Sequence, residues 1–270
     1  MLSCSGLPCV DITLAGGKHL RMLVDTGNMN SVVDTAVAKK LGLTVDPVNG
    51  ADGKPVAGYG RSVLSNVKLG DASLEDIKIL VMDIAKDIKQ DQMPAADGTL
   101  AYTAFKDRLL VLDYKNHKVL VSGALTAETL CPGNCGTLTT PTFGKHGPPI
   151  LVATGYSVND RPVTAQIDTL FTGTFLIYPT SVQKLGLAQE AKTTKKQFFK
   201  YTDGGVEMLE DRAKSETFGD HVLAKDAPIY FATPAVHLPD GMFDATVGHA
   251  VLEHSVLWLD LHKMKVWMTE

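Results

Sequence analysis

The chain has 270 residues, 44% of them hydrophobic, which is ample for one large or two small domains with a buried core. Its 26 basic and 30 acidic residues leave a net charge of −4, so nothing in it points to nucleic acid or to an anionic membrane surface. No run approaches the ~20 apolar residues that cross a bilayer, and Met1, Leu2 and Ser3 meet Cys4 with neither the charged nor the apolar part of a leader. Such a start is expected of a chain trimmed of its leader; the alternative is Cys4 as the remnant of a lipoprotein anchor. Residues 10–14 alternate as a half-buried strand, turn at Gly16 and Gly17, and return over residues 20–24 to deliver Asp25. Residues 30–33 form a second short strand, followed by a helix over residues 34–41 that Asp34 or Thr35 caps and Gly42 stops. Residues 49–60 are rich in Gly, Pro and Asp, and strands resume over 62–69 and 77–82. The charged stretch 83–92 is expected as a solvated loop or helical turn. Residues 126–149 hold two cysteines, four prolines and four glycines with little periodicity, which marks a linker.

Beyond that linker the order repeats. Strands over residues 150–153 and 163–167 flank a turn at Asn159 and Asp160 and deliver Asp168-Thr169-Leu170-Phe171. A short strand over 174–178 leads to a helix that Thr180 or Ser181 caps and Gly186 stops, and both helices end in Lys-Leu-Gly-Leu. Residues 201–205 are expected as a hairpin tip and 228–232 as a later strand. Each half also closes alike: Asp97-Gly98-Thr99-Leu100-Ala101 runs into an apolar strand ending at Asp113, and Asp244-Ala245-Thr246-Val247-Gly248 into one ending at Asp260. The chain reads as one half-domain used twice, with one acidic turn per half. Short strands dominate, so the class is mainly β: two similar lobes, residues 1–125 and 150–270, joined by residues 126–149.

Val24-Asp25-Thr26-Gly27 followed by Ser31-Val32-Val33, together with its altered copy at Asp168, resembles the active-site turns of the aspartic proteases, the pepsin and retropepsin superfamily. The resemblance covers nearly the whole chain and implies the acid protease fold, two β-lobes related by a pseudo-two-fold axis in a single chain. It implies Asp25 and Asp168 as the catalytic pair, and Thr26 and Thr169 as residues that cross-link the turns by hydroxyl to main-chain hydrogen bonds. Gly27, Asn28, Leu170 and Phe171 would support the pair, and Gly58, Tyr59 and Gly60 sit where the family carries the flap that closes over substrate. Two carboxylates sharing one proton suit peptide hydrolysis, because like charges in close contact cannot both ionise and so one acts as base while the other acts as acid. The chain departs from the family where Leu170 replaces Gly, Phe171 replaces a small residue and Leu100-Ala101 replaces an apolar-Gly pair. Leu170 is expected to crowd the pair and misplace one donor, since Leu tolerates positive φ poorly.

The implied function is an aspartic endopeptidase acting on peptides or unfolded proteins, as a monomer and without metal or cofactor. The alternative is a weak or inactive protein that keeps the fold and binds peptides. Residues 249–254 resemble an inverted zinc-protease motif, but His249 and His254 stand one residue too far apart to share a helix face. Cys4, Cys9, Cys131 and Cys135 allow three disulfide connectivities, with local pairing preferred over a zinc site because the step from Cys4 to Cys9 exceeds the usual knuckle. Disulfides place the protein in an oxidising compartment, periplasmic or secreted.

Overall fold

The computed structural model describes residues 2–50, 52–84, 96–125, 127–131, 133, 135–142, 147–187, 195–199, 206–233 and 242–270. The expected hairpin tip at 201–205 and most of the charged stretch 83–92 lie outside them. The first half forms β1 (Leu2–Cys4), β2 (Leu7–Thr13), β3 (His19–Asp25), β4 (Ser31–Asp34), β5 (Asp46–Asn49), β6 (Pro55–Leu69), β7 (Ala72–Met82) and β8 (Gly98–Ala101). Then come β9 (Leu109–Asp113), β10 (Lys118–Ser122), β11 (Gly136–Thr139), β12 (Val152–Val158), β13 (Arg161–Asp168) and β14 (Phe175–Ile177). The chain ends with β15 (Lys195–Phe199), β16 (Val206–Phe218), β17 (His221–Ala232), β18 (Ala245–Gly248), β19 (Val256–Asp260) and β20 (Lys265–Thr269).

The repeat seen in the sequence is a repeat of topology. In the first sheet β3 pairs in parallel with β8, β8 antiparallel with β4, and β4 in parallel with β7. In the second, β13, β18, β14 and β17 make the same three pairings with the same senses. A returning strand is thus threaded between the two strands that flank each acidic turn. The register sets Asp25 opposite Ala101 and Asp168 opposite Gly248. The threaded strands are covered on both faces: β8 and β18 are buried throughout, Leu100 and Val247 completely, and each has one polar side chain, Thr99 and Thr246. The fold is mainly β with two similar lobes.

Each threaded strand is anchored by the aspartate before it. Asp97 accepts from the Arg21 amide at 2.7 Å, and Asp244 accepts from the Thr164 amide at 3.0 Å and the Thr164 hydroxyl at 2.9 Å. The helices differ more. Asp34 caps Thr35–Leu41 by accepting from the Ala36 amide at 2.8 Å, and Gly42 ends it at φ 70°. Pro179–Lys184 has Pro at its first position and no side-chain cap. Thr180 and Ser181 do not cap it; the Ser181 hydroxyl instead donates to Asp244 at 2.9 Å.

The lobes are joined by more than a linker. β9 and β10, expected in the first lobe, belong to the second sheet, where β9 pairs antiparallel with β19. That pairing sets Leu109 opposite Asp260 and Asp113 opposite Val256, so exchanging the two halves maps the ladder onto itself. Trp258 and Trp267 stack at 5.3 Å in the adjoining hairpin β19–β20. Residues 126–149 supply β11, which bridges β20 and β12. Loop composition concealed it because the strand is short and alternates buried and exposed residues between Pro/Gly-rich flanks. Cys4 pairs with Cys9 across the β1–β2 hairpin and Cys131 with Cys135, with Cα atoms 5.9 and 6.2 Å apart, so the local connectivity is the one the chain adopts.

Candidate active site

The two acidic turns meet at the junction of the lobes. Each aspartate ends a β-strand, each following threonine is fully buried, and the threonines interlock. The Thr26 hydroxyl donates to the Ile167 carbonyl at 2.8 Å and the Thr169 hydroxyl to the Val24 carbonyl at 2.5 Å. Each hydroxyl in turn accepts from the partner threonine's amide, at 3.1 and 3.2 Å. This four-membered exchange fixes one turn relative to the other, so the carboxylates inherit a rigid relation from buried main chain.

Gly27 lies directly against the opposite carboxylate. A Cβ placed on it would come within 2.6 Å of Asp168 Oδ2 and 2.7 Å of Oδ1, so only Gly allows this approach. Asp168 Oδ1 accepts from the amides of Leu170 at 2.9 Å and Phe171 at 3.0 Å. The amides of Gly27 and Asn28 serve Asp25 in the same way. Both carboxylates keep a solvent-accessible edge although protein surrounds them deeply, as at the floor of a cleft. Burial raises the proton affinity of both. For Asp25 burial and repulsion from Asp168 outweigh its amide donors and push its pKa up to about 8. At Asp168 the two amide donors oppose burial without cancelling it. Burial of both carboxyls, and at Asp25 repulsion from Asp168, therefore favours the protonated form above the ordinary carboxylate range.

Leu170 does not behave as the sequence suggested. Its φ is not positive, and its amide reaches Asp168, so no donor is misplaced. The side chain packs against the apolar cluster of Cys4, Cys9 and Leu23. The Phe171 ring is buried against Gly173, Gly248 and Tyr230. Asn28 contributes its amide to Asp25, while its side-chain oxygen accepts from the Asn30 amide at 3.1 Å and tightens the turn. Gly58, Tyr59 and Gly60 lie on one arm of the β5–β6 hairpin rather than at its end, where Asn49 pairs with Pro55. Tyr59 is 40% exposed there, and Gly60 packs so closely on Val45 that a side chain would collide with it. His249 is buried and His254 exposed, so their rings occupy unlike environments.

Residues 10–104 match a family model described as aspartyl protease. The match includes the Asp25 turn and the threaded strand behind it, and it stops before β9. It supports kinship with the aspartic proteases and, with it, peptide-bond hydrolysis as the class of activity. The second half is tied to the first by the topology described above. No curated protein matches the chain.

One supporting residue escaped the sequence reading. Gln166 donates from Nε2 to the Gly27 carbonyl at 2.9 Å, crossing between lobes, and its Oε1 accepts from Thr246 at 3.2 Å. The Tyr178 hydroxyl shares a hydrogen bond with Thr246 at 2.8 Å, which completes a polar strut from the second lobe to the first turn. The available signal was its position: Gln166 and Asp168 are two apart on one strand and therefore share a face.

Proposed function

We propose that the protein is an aspartic endopeptidase in which Asp25 and Asp168 share one proton and activate a water. The observation that carries this reading is the reciprocal hydrogen-bond exchange between Thr26 and Thr169, which holds two equivalent acidic turns together across the lobes. The charged carboxylate of the pair takes a proton as water oxygen attacks the scissile carbonyl carbon. The protonated carboxyl gives its proton to the carbonyl oxygen. The tetrahedral diol that results collapses as its C–N bond breaks: the nitrogen accepts the pair's proton, and a diol hydroxyl returns a proton to the charged carboxylate, restoring the singly protonated pair. One charged and one neutral carboxyl are needed, and burial together with mutual repulsion maintains that state. Gln166 and the threonines position the turns and take no part in proton transfer. Both halves of the site come from one chain, so the working form is a monomer. The β5–β6 hairpin, with Gly58, Tyr59 and Gly60 on one arm, would close over an extended peptide. The paired cysteines suit a periplasmic or secreted protein.

Asp25→Ala and Asp168→Ala decide the matter. Each should abolish cleavage of an unfolded protein substrate, while chelators leave wild-type cleavage intact. Saturable binding of extended peptides with no cleavage from pH 3 to 8 would instead identify a binding protein. Loss with Asp25→Ala alone, and near wild-type activity with Asp168→Ala, would refute a two-carboxylate mechanism.

A further inference from the structure

The hairpin that carries the Cys4–Cys9 bridge shares an apolar cluster with the second acidic turn. β1 and β2 are joined by Ser5 and Gly6, both at positive φ, and cross-linked by Cys4–Cys9. The two cysteines pack with Leu23, two residues before Asp25, and with Leu170, two residues after Asp168. Leu7 and Ala96 complete this cluster. One small apolar cluster therefore draws a residue from each acidic turn, and the disulfide lies within it. Leu170 occupies the position that is Gly27 in the first half; its side chain packs against the cluster that holds the bridge while its amide donates to Asp168.

A second contact runs along the same hairpin. The His249 ring is buried, with the Gly6 backbone facing it, Glu253 Oε2 3.3 Å from its Nε2, and Tyr114 edge-on at 5.4 Å. The His249 amide donates to the Phe171 carbonyl at 2.7 Å. The hairpin thus adjoins both residues whose amides bind Asp168, Leu170 through the shared apolar cluster and Phe171 by way of His249.

We propose that the Cys4–Cys9 hairpin is a positioning device for Asp168, with Leu170 as the positioning residue through which it acts. The proposal rests on the catalytic role given to Asp168 above. β1 is three residues long and at the edge of its sheet, so without the cross-link little holds it in place. Losing it removes the surface on which Leu170 rests and frees the amides at residues 170 and 171. Those donors favour the charged carboxylate, so weakening them raises the proton affinity of Asp168. Of the titratable groups that interact with Asp168, Asp25 shares its proton, while burial keeps Tyr114 and Tyr178 neutral through the acid range.

Two readouts test this: hydrogen exchange at the Leu170 and Phe171 amides, and the pH profiles of kcat and KM. In Cys4→Ser/Cys9→Ser and in Leu170→Ala, exchange at both amides should quicken about tenfold or more. In both, kcat should fall by up to about 100-fold with KM nearly unchanged, as expected when reacting groups are misplaced. The acid limb of the profile should move to higher pH, and Leu170→Met should restore it. A Cys131→Ser/Cys135→Ser protein treated with reductant should respond like Cys4→Ser/Cys9→Ser. Wild-type exchange and an unmoved acid limb in folded Leu170→Ala would overturn the proposal, whether or not the cysteine variant folds. If wild type cleaves nothing, the exchange measurement still decides the positioning role, and only the proteolytic reading fails.

Discussion

Thr26 and Thr169 show how little freedom the acidic turns have. Each hydroxyl both donates to a carbonyl and accepts from an amide of the other lobe, and both residues are fully buried. Thr26→Val keeps the shape but leaves the Ile167 carbonyl and the Thr169 amide unpaired, which costs roughly 1–3 kcal/mol for each buried group. Urea unfolding should show that loss, and Thr26→Val/Thr169→Val should fall well short of the sum of the single changes because the two act as one unit. Additive losses would mean that the turns are held independently. Glu216 makes a different case. It is fully buried on β16 and neither carboxyl oxygen has a well-formed hydrogen bond among the described residues. The Thr174 hydroxyl faces it but is engaged with the Pro228 carbonyl, and burial pushes the carboxyl up to about 8. A folded-state value above the unfolded one means that its favourable contribution is complete below the ordinary glutamate range and is lost as pH rises toward 8. Glu216→Gln should therefore gain in Tm over wild type progressively between about pH 5 and 8. A Tm difference that stays constant across that range would mean that Glu216 does not titrate there.

Among the elements, the threaded strands carry the fold. Gly98 opens β8 where it passes beside β4, and a Cβ there would collide with the Val32 carbonyl and press on the Met22 methyl at 3.0 Å. Gly98→Ala should destabilise the protein by about 1–3 kcal/mol, as overpacking does. Denaturant unfolding monitored at Trp258 and Trp267 would detect the change, and an unaltered midpoint would show that β8 is less tightly enclosed than its contacts indicate. In the sequence these stretches stood out only as matched endings of the two halves, residues 97–101 and 244–248; their threading between the strands of each acidic turn depends on distant pairings that composition does not show. The acidic turns were legible because an apolar strand ending in Asp-Thr is local chemistry. What the sequence concealed depends on distant partners. β9 and β10 read as part of the first lobe because they follow it in the chain, yet their hydrogen bonds go to β19. Leu170 read as a defect because its neighbour, the Cys4–Cys9 bridge, lies more than 160 positions away. Gln166 was silent because nothing in its strand reveals the Gly27 carbonyl that it meets.

For the whole molecule, the pseudo-two-fold arrangement brings one aspartate from each half to the junction of the lobes, and the proposed mechanism requires them to titrate as one unit. The lobes are locked by the β9–β19 ladder, by the threonine exchange and by Gln166, so the carboxyls cannot relax apart to relieve their repulsion. The proton that repulsion and burial retain should keep the pair in its working state through the mildly acidic range, with a kcat/KM maximum at roughly pH 4 to 6. The most direct measurement is the titration of the two side-chain carboxyl carbons, labelled with 13C and followed by NMR from pH 2 to 9. Both signals should move in two separated steps, each carboxyl sensing both protons, with the upper step far above the ordinary aspartate value of about 3.9. Two independent single steps near that value would show that the carboxyls do not share a proton, and the proposed mechanism would fall with them.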